Sequence, residues 1–86
     1  MHAPINRPVE ALVSFHPDRE FPVLRAFRWN SHRYDIRETN STHRERDGAT
    51  VFLCYSVSCA EGDFGLRFNT NRCRWILDSI FELDDR

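Results

Sequence analysis

The stretch Ala26-Phe27-Arg28-Trp29-Asn30-Ser31-His32-Arg33-Tyr34-Asp35-Ile36, AFRWNSHRYDI, sets large rings and arginines in alternation on either side of Asn30-Ser31. Successive side chains of a strand point to opposite faces, so a period of two is the pattern of a half-buried strand. Asparagine tolerates the positive φ that a two-residue hairpin turn requires. The stretch therefore reads as a hairpin, with Phe27, Trp29, Tyr34 and Ile36 turned inward and Arg28, Arg33 and Arg37 turned outward.

The same alternation extends in both directions. Upstream, Val9, Ala11, Val13 and Phe15 would share one face of a first strand that stops at the turn-forming His16-Pro17-Asp18-Arg19. The second strand runs from about Val23 to Trp29, and here Arg25 is awkward, because it shares the parity of Val23 and Phe27. It could snorkel at a rim, pair with an inward acid such as Glu38, or face a partner.

Downstream, the third strand covers about Arg33 to Thr39, and the polar NSTHRERDG of residues 40–48 reads as an exposed loop or a frayed strand extension ending in the turn dipeptide Asp47-Gly48. Strand four, Thr50 to Ser58, is apolar on both faces and is expected to lie centrally. In strand five Phe64, Leu66 and Phe68 alternate with Gly65, Arg67 and Asn69. From Cys73 onward the odd positions fit a sixth strand, while Leu77, Ile80, Phe81 and Asp84 also suit a short C-terminal helix. The aromatic and β-branched content favours strand.

Six short antiparallel strands in 86 residues predict an all-β fold, a small barrel or roll that protects its edges by closure. The whole chain, 1–86, is read as a single domain with its core over about 8–83, a flexible N-terminus at 1–7 and an exposed loop at 40–48. A chain of this length buries only about 60–65% of its unfolded surface, so it can have one core. With 41% apolar and 29% charged residues it is too apolar for a disordered chain. No apolar run reaches a membrane span and MHAPINRPVE lacks the pattern of a signal peptide, so a cytoplasmic location and no membrane association are expected.

The combination FRWNSHRY at 27–34, YSV at 55–57, GLRFN at 65–69 and RWIL at 74–77 resembles a family of short uncharacterised bacterial β-domains over about residues 21–83. Ser31 stands here where that family usually has a turn glycine. The resemblance implies a small β-domain and carries over no catalytic or ligand-binding residue. Some such domains look like companions of DNA-repair polymerases, which would imply contact with nucleic acid.

Three cysteines and four histidines raise the question of metal. Structural zinc sites usually show close ligand pairs of the C-x(2–4)-C kind, and Cys54 and Cys59 only approach that spacing. Cys54 also lies in an apolar strand, where a free cysteine serves as a small hydrophobe. No metal or cofactor is therefore expected, and an odd cysteine count argues against a disulfide framework, although Cys59 and Cys73 flank strand five and could meet. His16 near Asp18 and His43 beside Glu45 suggest acid–base pairs, but solvated loop positions account for them. No nucleophile elbow, zincin motif or phosphate loop is present, so the chain is read as a non-enzyme.

All twelve cations are arginines, and Arg25 to Arg46 carries six of them against three acids in a chain of net charge −1. Arginine forks suit carboxylate and phosphate. The reading that follows is a binding module whose Arg28, Arg33, Arg37, Arg44 and Arg46 form one surface for an acidic protein partner. A nucleic-acid backbone is the less favoured ligand, since the acidic remainder of the chain would repel it. Self-association into a homo-oligomer through strand edges is the alternative.

Overall fold

The computed structural model describes residues 2–81, with side chains from residue 4 onward. Six strands follow in order: β1 His2–Ser14, β2 Val23–Trp29, β3 His32–Asp47, β4 Thr50–Cys59, β5 Gly62–Asn69 and β6 Arg74–Phe81. Each pairs antiparallel with the next, and β6 pairs back onto β1 to close a barrel. The all-β, six-stranded antiparallel barrel read from the sequence is the fold.

Short turns impose this up-and-down order, because a two-residue link can join only antiparallel neighbours. Asn30 and Ser31 both take positive φ, 54° and 62°, as a primed turn twisted to match its strands requires. Gly48 does the same at 63° between the paired Asp47 and Thr50. At the β5–β6 link the Asn69 side-chain oxygen accepts from the backbone N–H groups of Asn71 and Arg72, and Cys73 takes φ 55°.

The barrel interior is filled by Leu24, Phe27, Tyr55, Val57, Cys59, Phe64, Leu66 and Leu77. Phe27 stacks on Tyr34 at 4.9 Å and meets Phe64 edge-on at 5.3 Å. Trp29 and Trp75 pack against this core as half-buried rings, with Trp75 5.1 Å from Tyr55. The Tyr55 hydroxyl donates to the Pro22 carbonyl, which pins the β1–β2 link over one end of the barrel. Such rings supply much of the burial a small core can reach.

Several expectations need correction. Phe15 lies beyond the end of β1 and is 77% exposed, so the first inward set stops at Val13. Residues 2–7, read as a flexible terminus, belong to β1 and pair with β6. Residues 40–47, read as a loop or frayed extension, are strand throughout and pair with β4 up to Asp47. The tail is strand to Phe81; the rest of the alternative helix, 82–86, falls outside the described residues.

Arg25 has a different explanation from those the sequence offered. Leu12 opposes Ala26 and Val13 opposes Leu24, so Arg25 is the extra residue of a β-bulge. The bulge resets the parity of β2: Leu24 rather than Val23 enters the core, and Arg25 emerges outside, its Nε donating to the Ser14 hydroxyl at 2.8 Å.

Two strands are shared lengthwise between neighbours. β1 pairs with β6 over its first part and with β2 from Glu10 to Ser14, while β3 pairs with β2 from His32 to Asp35 and with β4 from Ile36 to Asp47. Beyond Asp35 the other edge of β3 has no ladder partner among the described residues. That edge carries Arg37, Glu38, Arg44, Glu45, Arg46 and Asp47, charges of the kind that blunt open edges.

Candidate functional site

The outer face of β1, β2 and β3 holds the first group of arginines. Arg28 and Arg33 are direct cross-strand partners. Arg28 Nε lies 3.7 Å from Glu10, and Arg33 Nε donates to Asp35 at 2.7 Å. Beside them Leu12 is 54% exposed, and Glu10, Leu12, Ala26, Arg28 and Arg33 line a shallow groove of about 180 Å³. Arg28 also borders a wider opening of about 920 Å³ between the free edge of β1 and the β2–β3 turn, where Pro4, Arg7 and Trp29 line the walls.

The remaining arginines do not join this face. In β3 the register shifts between Ile36 and Glu38 and again between Thr39 and Ser41, leaving Arg37 and Asn40 as bulged residues. Past the second bulge, His43 and Glu45 stand on the outside. Arg44 and Arg46 oppose Leu53 and Val51 on the side that continues the barrel interior. Arg44 pairs with Glu20 and lies over the Phe21 ring at 4.9 Å. Among the described residues Arg37 and Arg46 form no side-chain hydrogen bond or ion pair. The single arginine surface read from the sequence is thus divided into two: the bulges cancel in parity, and the alternation of β3 sets Arg44 and Arg46 on the face opposite Arg33.

A second cluster, of which the sequence offered His43 beside Glu45 but not Cys54, lies on the outer face of β3 to β6. His43 and Cys54 oppose each other across the ladder, and Glu45 follows His43 on the same face. His43 Nε2 is 3.2 Å from a Glu45 carboxylate oxygen. The imidazole, carboxylate and thiol atoms of His43, Glu45 and Cys54 all lie within 4.8 Å of one another. Gly65, Ser79 and Phe81 extend the site into a groove of about 170 Å³.

Burial, followed by the charge and hydrogen bonding of Glu45, pushes the Cys54 thiol up from its ordinary 9.0 to about 11. Arg67 borders the groove: its Nε is 3.4 Å from Asp78, its guanidinium covers the Phe52 ring at 4.7 Å, and that Nε makes no hydrogen bond among the described residues.

The legible signal was His-x-Glu on a strand with a cysteine one hairpin turn away. It stayed hidden because residues 40–47 are polar on both faces and so lack the apolar alternation that marks a strand. The Cys54–Cys59 spacing weighed from the sequence does not bring its two thiols together. Cys54 faces outward, Cys59 faces the core, and Cys73 is exposed in the β5–β6 turn. Cys59 and Cys73 sit at opposite ends of β5, roughly 20 Å of strand apart, so they cannot meet. All three are free.

No helix of the described residues is long and apolar enough to cross a membrane. Comparison with known proteins gives no matching family model, no matching curated protein and no matching solved structure.

Proposed function

We propose that the chain is a non-catalytic docking module that takes an acidic protein segment on the outer face of β1, β2 and β3. Arg28 and Arg33 grip its carboxylates and Leu12 takes an apolar side chain. The observation that carries this reading is the direct pairing of Arg28 with Arg33. Like charges directly opposite on a ladder repel; Glu10 and Asp35 offset this only from exposed positions to either side, and a carboxylate bound between the two guanidiniums adds charge-assisted hydrogen bonds to both.

Arg37, at the bulge next along β3, extends the footprint, whereas Arg44 and Arg46 belong to the other side of the ribbon and drop out of it. Glu10 and Asp35 within the face oppose a long polyanion, which favours a protein over nucleic acid. Self-association through the open edge of β3 is disfavoured by its bulges and charges. Three free cysteines suit a reducing compartment, in keeping with a cytoplasmic partner.

The test is affinity capture from the native host with nuclease treatment, using Arg28→Glu/Arg33→Glu and, as a control, Arg44→Glu/Arg46→Glu. A protein retained by the wild type and the control but lost from the first variant supports the module. Recovery of nucleic acid alone, equal loss in both variants, or a stable oligomer by light scattering with no captured protein overturns it.

A further inference from the structure

The groove between β3 and β6 is separate from the arginine face and holds three donors that a bland polar contact does not need together. Histidine and glutamate two residues apart on a strand share one face, so a cysteine opposite the histidine completes a triangle whose corners are set by the strand pairing. Imidazole nitrogen, carboxylate oxygen and sulfur form a donor set suited to zinc and its neighbours among the divalent transition metals. We propose that His43, Glu45 and Cys54 bind one zinc-class divalent ion in this groove.

Tetrahedral zinc with bonds of about 2.0–2.3 Å holds its ligand atoms roughly 3.3–3.8 Å apart. His43 and Glu45 already stand at 3.2 Å. The widest separation in the cluster is no more than 4.8 Å, and it closes by rotation of His43 and Glu45, whose side chains are exposed at 58% and 57%. Cys54 supplies the buried, positioned corner. Three protein ligands leave a fourth position for water or another small ligand in the groove that Ser79 and Phe81 also line.

Charge agrees with a dication. Arg67 is neutralised locally by Asp78 at 3.4 Å, which leaves Glu45 and, on binding, the Cys54 thiolate to balance the two positive charges. In that step the S–H bond breaks, a metal–sulfur bond forms and the proton leaves to solvent, with no change of oxidation state.

The experiment is titration of the chelator-treated, reduced full chain with Co²⁺ and then Zn²⁺. A stoichiometric cobalt complex is expected, with a thiolate charge-transfer band and the intense visible bands of a four-coordinate site, displaced by Zn²⁺. His43→Ala and Glu45→Gln change exposed residues and leave the fold intact by circular dichroism. Each should weaken cobalt binding by more than the roughly 100-fold that changes around a ligand shell cost. Cys54→Ser should abolish the charge-transfer band and Cys73→Ser should keep it. Absence of a thiolate band, its loss with Cys73→Ser, or unchanged affinity in His43→Ala and Glu45→Gln overturns the site.

Discussion

Gly65 stands directly opposite Ser79 in the β5–β6 ladder, so close that a Cβ on Gly65 would lie 2.8 Å from the Ser79 hydroxyl oxygen and 3.4 Å from the Phe81 ring. The backbone there is extended, so the need for glycine is one of space. Gly65→Ala should destabilise the barrel by about 1–3 kcal/mol, the range for overpacking, and adding Ser79→Ala should return part of the loss. Urea unfolding of the two single variants and the double variant measures it. A Gly65→Ala protein as stable as the wild type would mean that Ser79 and Phe81 move aside freely.

At the β2–β3 turn the case is conformational. Ser31 holds φ 62° with a side chain, in a region that costs a non-glycine residue about 1–2 kcal/mol. Ser31→Gly should therefore raise stability, by somewhat less than that cost because glycine also loses more freedom on folding. Thermal unfolding decides between this gain and the loss expected if the Ser31 hydroxyl matters.

Three buried groups make the fold sensitive to alkali. Burial pushes the Cys54 and Cys59 thiols from 9.0 to about 11 and the Tyr55 hydroxyl from 10.0 to about 12. Each folded value lies above the unfolded one, so the protonated form is the one the fold prefers. Their contribution is complete below pH 9 and is lost as pH rises through the folded values. The urea midpoint should decline from about pH 9 upward, and Tyr55→Phe, itself less stable for want of the bond to Pro22, should show a shallower decline at the top of the range. A midpoint flat to pH 11 would show that these groups are not desolvated in solution.

The hairpin at 26–36 was legible because rings and cations alternate there and Asn30-Ser31 marks the turn. The barrel followed from counting such stretches. What the sequence concealed were the bulges at Arg25, Arg37 and Asn40, since one extra residue leaves no trace in composition yet reverses the parity of everything after it. The bulge at Arg25 undoes the parity that placed it inward, whereas those at Arg37 and Asn40 cancel; Arg44 and Arg46 were joined to a surface they do not share because residues 40–48 read as a loop or frayed extension, without strand alternation. The His43, Glu45 and Cys54 groove was hidden for another reason: their proximity depends on pairing across Gly48-Ala49, and the β3 half of that hairpin has no apolar face to announce it.

The bulges in β3 also bear on how the chain can change over evolutionary time. Losing a residue within a regular strand turns every later side chain to the opposite face. Arg37 and Asn40, however, are surplus to the ladder, and every pair from Ser41 with Ser56 to Asp47 with Thr50 would survive the deletion of either. The longest strand of the barrel therefore tolerates changes in its own length, and relatives differing by a residue at these two positions would still present the same groove.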